Sequence, residues 1–253
     1  MNNTYKQTLN LLTGLNLQGI TKSIDEEINE AESRKISYLS FFNNLLSSEI
    51  EYRTEKRLQR NLTGAHFPVT KKLNDFKFGK IKGITKSDLA NLMDYRWIDN
   101  HENILLFGPP GLGKTHLAIG IGIHAIEKGY KVCFERISNL FKLLKNMDIQ
   151  RKAMFRINRL IKADMVILDE IGYTPIEKRE ANLFFNLISE LYEKTSIIIT
   201  SNKSFEDWAE MMGDKIMTVA LLDRLLHHSK FFSLSGESYR LKDKIINKKK
   251  EGN

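Results

Sequence analysis

Eight residues limit what this chain can become. Gly108-Pro109-Pro110-Gly111-Leu112-Gly113-Lys114-Thr115 fits G-x-x-x-x-G-K-[ST], a loop that wraps phosphate groups. Such a loop works in one setting, between a buried strand and the N-terminus of a helix. Both flanks meet that requirement. Asn103-Ile104-Leu105-Leu106-Phe107 reads as a short buried strand, and His116 to Lys128 carries Leu117, Ala118, Ile121 and Ala125 at helical spacing. In this geometry the loop from Gly108 through Pro109, Pro110, Gly111 and Leu112 to Gly113 closes backbone N–H groups around phosphates. Lys114 reaches the β- and γ-phosphates and the Thr115 hydroxyl holds Mg²⁺. His116 follows directly and reads as a helix or packing residue rather than a base. ATP and Mg²⁺ are the ligands this expects. The alternative is an ordinary Gly/Pro turn, and the match at all four fixed positions argues against it.

The rest of that half of the chain alternates strands and helices. Lys131 to Glu135, Met165 to Leu168, Ser196 to Thr200 and Phe231 to Leu234 read as strands. Helices are expected from Ser138, over Ala181 to Tyr192, over Asp207 to Met212 and over Leu221 to His227. Alternation of this kind predicts an α/β fold, a parallel sheet flanked by helices with its ligand at the C-terminal strand ends. Two strand ends carry polar groups. Met165-Val166-Ile167-Leu168-Asp169-Glu170 ends in two acids, the Walker B pattern: Asp169 would hold Mg²⁺ through water and Glu170 would polarise an attacking water. Ile197-Ile198-Ile199-Thr200-Ser201-Asn202 ends in Asn202, which reads equally as a γ-phosphate or water contact and as a turn asparagine. Arg224, in Asp223-Arg224-Leu225, reads by spacing alone as a partner of Asp223 or a surface cation. His227 and His228 lack neighbouring metal ligands in the sequence.

The first quarter is different. Leu9, Leu12 and Leu15 to Leu17 start a short helix that breaks near Gly19, and Ser23 to Glu26 has the S-x-x-E form of a capping box. Leu39, Phe42, Leu46 and Ile50, and later Leu58 and Leu62, predict a long amphipathic helix with its apolar side in a core, which His66-Phe67-Pro68 ends. Arg53, Lys56, Arg57 and Arg60 share one broad face, and Lys71, Lys72, Lys77, Lys80, Lys82 and Lys86 follow. With a formal charge of +8 and a pI near 9.3, this patch is expected on duplex DNA phosphates, with a solvated charged face as the alternative. The expected organisation is a helical DNA-binding domain over 1–66, a linker over 67–86, an ATPase domain over 87–241 and a basic tail over 242–253.

Other signals exclude classes. Cys133 is the single cysteine, so no internal disulfide forms, and its apolar neighbours mark a buried thiol. There is neither a secretory leader pattern nor an apolar run near membrane-span length, and the expectation is a cytoplasmic protein with no membrane partner.

Five strings together resemble one family. They are Gly108 to Ala118, Asp169-Glu170-Ile171-Gly172-Tyr173, Thr200-Ser201-Asn202, Asp223-Arg224-Leu225-Leu226-His227-His228, and Gly236-Glu237-Ser238-Tyr239-Arg240. From about Leu9 to Leu241 the chain is similar to the IstB family, the AAA+ ATPase helpers of insertion-sequence transposition, themselves similar to the DnaC and DnaI helicase loaders. The resemblance implies an AAA+ P-loop fold with no C-terminal helical lid, behind a small all-helical N-terminal domain. It implies that Asn202 stands at sensor 1, that Arg224 matches the arginine finger, and that Arg240 matches a sensor-2-like arginine. Self-assembly into a homo-oligomer on duplex DNA and recruitment of the transposase encoded by the same element are implied as well. With few residues after Arg240, closure over the nucleotide is expected largely from a neighbouring subunit. Leu112 stands where the family often has Thr or Val. A DnaC/DnaI-type helicase loader is the alternative.

Overall fold

The computed structural model describes residues 3–79, 81–172 and 176–239. Lys80, Tyr173, Arg240 and the tail over 242–253 therefore lie outside the described residues. The chain forms two compact units, Met1–Arg60 and Asn61–Asn253, and the boundary falls inside one long helix.

The first unit is helical: α1 (Asn3–Gly14), α2 (Gln18–Arg34) and the greater part of α3 (Tyr38–Ala65). Ile20, Ile24 and Leu45 form its buried centre, with Leu9, Leu12, Leu17, Ile28 and Phe41 packed around them. Two expectations fail here. Ser23 to Glu26 does not cap a helix, because α2 already starts at Gln18. Its first N–H groups are satisfied from a distance: Gly19 and Ile20 donate to the buried Glu49 carboxylate on α3 at 2.6 and 3.1 Å. A side chain thirty residues away thus does the capping residue's work. The apolar stripe of α3 also points away from the core. Leu39, Phe42, Leu46 and Ile50 are 77, 57, 41 and 65% exposed, while Phe41, Leu45 and Glu49 face α1 and α2. Two short helices cover only one side of α3, and the side they cover is the one that also carries a capping carboxylate.

The second unit begins with the end of α3. A 3₁₀ turn (Leu73–Asp75), β1 (Ile81–Lys82), α4 (Lys86–Leu92) and α5 (Arg96–Asp99) follow. The segment expected as a linker is thus part of the second unit, with Phe76 buried. Next come β2 (Asn103–Phe107), α6 (Lys114–Glu127), β3 (Val132–Arg136), α7 (Ile137–Asn146) and α8 (Arg151–Ile161). Then follow β4 (Met165–Ile171), α9 (Lys178–Leu191), β5 (Ser196–Ser201), α10 (Phe205–Met212), α11 (Lys215–Leu226), β6 (Ser229–Ser233) and β7 (Ser235–Gly236). The main sheet has the order β3-β4-β5-β2-β6, and every pairing is parallel. β2, β4 and β5 are continuous apolar runs because helices cover both faces. The chain leaves β2, passes over two strand positions and enters the sheet again at its β3 edge. The carboxyl ends of β2, β4 and β5 therefore share one crevice, the position where parallel sheets of this kind bind ligands. No described helix is long and apolar enough to cross a membrane.

One buried ion pair joins the end of α3 to the sheet. Arg156 on α8 meets Glu135 on β3 through its Nε. Its Nη groups donate to the Gly64, Ala65 and Phe134 carbonyls at 2.9, 3.3 and 2.8 Å. A cation at the carbonyl end of a helix satisfies its last acceptors and complements its dipole.

Candidate nucleotide site

The loop after β2 is shaped by its glycines. Gly111 and Gly113 both have φ +84°, which side chains other than glycine rarely adopt. Gly113 also has no room for a Cβ, which would stand 2.7 Å from Phe76 Cε2. α6 starts at Lys114, so its free N–H groups and dipole end face the loop. Lys114 Nζ donates to the Gly108 and Pro109 carbonyls at 2.5 and 2.8 Å, at the mouth of the loop. Leu112 is fully buried, so its departure from the family pattern leaves the cleft unchanged.

Thr115, Asp169 and Thr200 form one hydrogen-bonded group. Thr115 Oγ1 donates to Asp169 Oδ1 at 2.7 Å, and Thr200 Oγ1 donates to the same oxygen at 2.6 Å. Asp169 is fully buried, and its Oδ2 has no hydrogen-bond partner among the described residues. A polar oxygen left so in the interior is costly. A hydroxyl beside a carboxylate is the hard-oxygen set that suits Mg²⁺, so these residues fit the ion that the sequence implied.

Glu170 is aimed by a break in its strand. The β4–β5 register slips between Leu168 and Ile171, and Glu170 has φ +64°. A bulge of this kind redirects a side chain at a sheet end. Its backbone N–H donates to Thr200 Oγ1 at 2.9 Å. Its carboxylate pairs with Arg136, at the end of β3, at 3.6 Å. Asn202 follows β5, and its Oδ1 is buried without a hydrogen-bond partner among the described residues.

Lys114, Thr115, Arg136, Glu170, Thr200 and Asn202 line one cleft of about 460 Å³, together with Pro110, Gly111, Gly113 and His116, and Asp169 is joined to it through Thr115 and Thr200 rather than lining it. That volume lies within the ordinary range of ligand sites. Pro68, Val69, Lys71, Asp75, Phe76 and Lys77 form one wall, to which the Tyr239 phenol is bonded through the Lys77 carbonyl. Burial pushes the Tyr239 phenol up from its usual value. His116 is a packing residue here: Nε2 meets the Lys72 carbonyl at 2.8 Å and the ring stands edge-on to Phe76.

Three residues escaped sequence reading. Thr200 locks Asp169 and Glu170, Arg136 pairs with Glu170, and Tyr239 lines the cleft. Only the polar ends of two apolar strands hinted at the first two.

Other expected site residues lie elsewhere. Arg224, on α11, is not among the residues lining the cleft. Its Nη1 donates to Ser189 Oγ at 2.5 Å, and its guanidinium covers the Phe185 ring at 4.4 Å. Asp223 is thus not the partner found for it. His227 and His228 do have an acidic neighbour, Glu193, which lies 3.9 Å from His228 Nε2, and all three are exposed. Of the expected DNA contacts, Arg53, Lys56, Arg57 and Arg60 are exposed on α3. Arg53 also pairs with Glu49 at 2.7 Å. Lys71 lines the nucleotide cleft, and the Lys72 carbonyl is held by His116.

Sheet order, loop and polar strand ends define a P-loop nucleotide-binding protein of the AAA+ kind. Similar folds occur in DnaI (TM-score 0.55, 15% identity, 65% of this chain and 91% of that one) and in AMPPCP-bound DnaA from Aquifex aeolicus (0.52, 23%, 74% and 56%). The chain belongs to the family of IstB-like ATP-binding proteins, whose family model matches residues 10–247. It is 38% identical over 234 residues to an insertion sequence IS21 ATP-binding protein of Pseudomonas aeruginosa, covering 92% of this chain and 88% of that one. It is 39% identical over 221 residues to an insertion sequence IS5376 ATP-binding protein of Geobacillus stearothermophilus, covering 87% and 88%.

Proposed function

We propose that this protein is an ATP-hydrolysing helper of DNA transposition, which assembles on duplex DNA and engages the transposase of its own element. The observation that carries the ATPase reading is the buried Thr115–Asp169–Thr200 group, with its unpartnered Asp169 Oδ2 beside the bulge that turns out Glu170. The names of its relatives, proteins of insertion sequences, supply the element.

Each residue then has a defined task. Backbone N–H groups of Gly111, Leu112 and Gly113 and the Lys114 ammonium bind the phosphates, while the Gly108 N–H donates to the Ser201 carbonyl at 3.1 Å. The base lies against the apolar wall of Val69, Phe76 and Ile119. Thr115 and Asp169 would hold Mg²⁺, which when bound neutralises phosphate charge. Glu170, steadied by Thr200 and Arg136, accepts a proton from the attacking water. Asn202 orients that water or the terminal phosphate. Arg224 acts on the ATP of a neighbouring copy, since it lies off its own cleft and is already oriented by Phe185 and Ser189. Arg240 is assigned the sensor-2-like role by resemblance alone. The N-terminal domain over 1–66 grips phosphates through Lys56, Arg57, Arg60 and the partly neutralised Arg53, without reading sequence.

The test is ATP turnover with and without duplex DNA at two salt concentrations, with assembly size followed in parallel. Lys114→Ala should abolish nucleotide binding and assembly, and Glu170→Gln should bind ATP, assemble and turn over at least 100-fold more slowly. DNA-stimulated turnover that weakens with salt supports the reading. Unchanged turnover in Glu170→Gln removes that residue as the base. Assembly only on single strands, or only with an added helicase, replaces the helper with a helicase loader.

A further inference from the structure

We propose that Tyr239 is a nucleotide-retaining residue: together with β1 and β7 it clasps the wall formed by residues 68–77 over the P-loop, so that nucleotide enters and leaves only when this clasp opens. The inference rests on the reading of the cleft as an ATP site and adds to it the element that closes it.

The wall has little regular structure of its own. It carries one 3₁₀ turn, and it is held by contacts at both ends. At one end His116 binds the Lys72 carbonyl and Phe76 sits on Gly113. At the other, β1 pairs antiparallel with β7, Ile81 facing Gly236 and Lys82 facing Ser235. The chain then continues from β7 straight across the P-loop. The Tyr239 backbone N–H donates to the Gly111 carbonyl at 3.0 Å, and its phenol donates to the Lys77 carbonyl. Ser238 packs so closely that a Cβ on Gly111 would stand 2.1 Å from its Oγ. One tyrosine thus bridges the phosphate loop and the cleft wall, two segments that a bound nucleotide must separate or be sealed between. This gives a single chain its own means of closure, where the sequence led to the expectation of closure from a neighbour.

The Gly236-Glu237-Ser238-Tyr239 string acquires a physical purpose in this arrangement. Gly236 pairs with Ile81, Ser238 fits against a glycine, and Tyr239 supplies the ring and hydroxyl.

Two variants move the clasp in opposite directions. Tyr239→Phe keeps the ring and removes the hydroxyl. Lys82→Cys with Ser235→Cys places thiols at facing positions of an antiparallel pair, where Cα atoms lie about 4.5–5.5 Å apart and a disulfide can form. The one native cysteine, Cys133, is buried and does not compete. The readout is dissociation of a fluorescent mant-ADP from full-length protein by stopped flow, with thermal stability measured beside it. Tyr239→Phe should release nucleotide about fivefold faster, the factor that a neutral hydrogen bond of about 1 kcal/mol represents, at an unchanged melting temperature. The oxidised double-cysteine protein should release it at least tenfold more slowly than wild type, and reductant should restore the rate. Wild-type rates in both variants overturn the clasp alone, as does faster release that merely tracks a loss of stability. A wild-type protein that retains no mant-nucleotide overturns the ATP reading and the clasp with it.

Discussion

Breaking the Arg156–Glu135 pair should cost more than removing it. Both side chains are buried, and Arg156 Nε meets one carboxylate oxygen while Asn139 Nδ2 donates to the other at 2.6 Å. Glu135→Gln removes the countercharge and leaves the guanidinium in the interior with neutral acceptors alone, among them the Gly64, Ala65 and Phe134 carbonyls and Cys133 Sγ. Loss of one partner from a buried pair costs about 3–5 kcal/mol. The three carbonyls offset part of this, so about 3 kcal/mol is expected. Arg156→Met strands the carboxylate and frees helix-end carbonyls, for about 4 kcal/mol. Glu135→Leu combined with Arg156→Met removes both charges, leaves the carbonyls and the Asn139 amide to satisfy, and should lose about 1–2 kcal/mol. The assay is urea unfolding followed by tryptophan fluorescence. Trp97 and Trp208 are the only tryptophans, both are fully buried, and both belong to the second unit, so the signal reports that unit alone. In thermal melts the Glu135→Gln loss corresponds to a fall of about 6–12 °C. A Glu135→Gln loss below about 1 kcal/mol, or a double variant as unstable as the two single losses added together, would refute the reasoning.

Two further outcomes follow from the same kind of accounting. Burial alone would raise the Glu49 carboxyl, but hydrogen bonds from Arg53 and the Ile20 and Gly19 N–H groups outweigh it and hold it below the usual carboxylate range. Its contribution to the first unit is therefore complete above the unfolded value near pH 4.3 and disappears as pH falls through the lower folded one; Glu49→Gln should flatten this acid dependence in far-UV circular dichroism of urea unfolding, in the part of the transition that fluorescence does not see. Thr200→Val keeps the shape of the strand but removes the hydroxyl shared by Asp169 and Glu170, so kcat for ATP should fall about 10–100-fold with KM nearly unchanged, measured by steady-state phosphate release.

The parts of the fold that could be read from sequence were those set by short-range pattern. β2, β4 and β5 are apolar runs ending in chemistry, and the phosphate loop dictates its own strand and helix. α8 escaped because its inward face, Ala153, Ile157 and Leu160, is interrupted by a buried arginine that looks like a surface residue until Glu135 is placed beside it. The face of α3 was misjudged for a similar reason. Its inner side carries Glu49, and nothing local says that a carboxylate will cap a helix 30 residues earlier. Tyr239 meets Lys77 across 162 residues, a separation over which no periodicity gives information. The site was legible where a residue acts through its neighbours in sequence, and hidden where it acts through the sheet.

Arg224 is not part of the cleft lining of its own chain, so a copy that lends it to another is a link with an unlike front and back. If Arg224 serves the next copy's ATP, such links join head to tail, and a row of them always ends with one cleft that no guanidinium reaches. Two copies then complete one cleft of two, and longer rows approach full occupancy without attaining it, whereas a closed ring has no unfinished member. Turnover per chain becomes a count of ends.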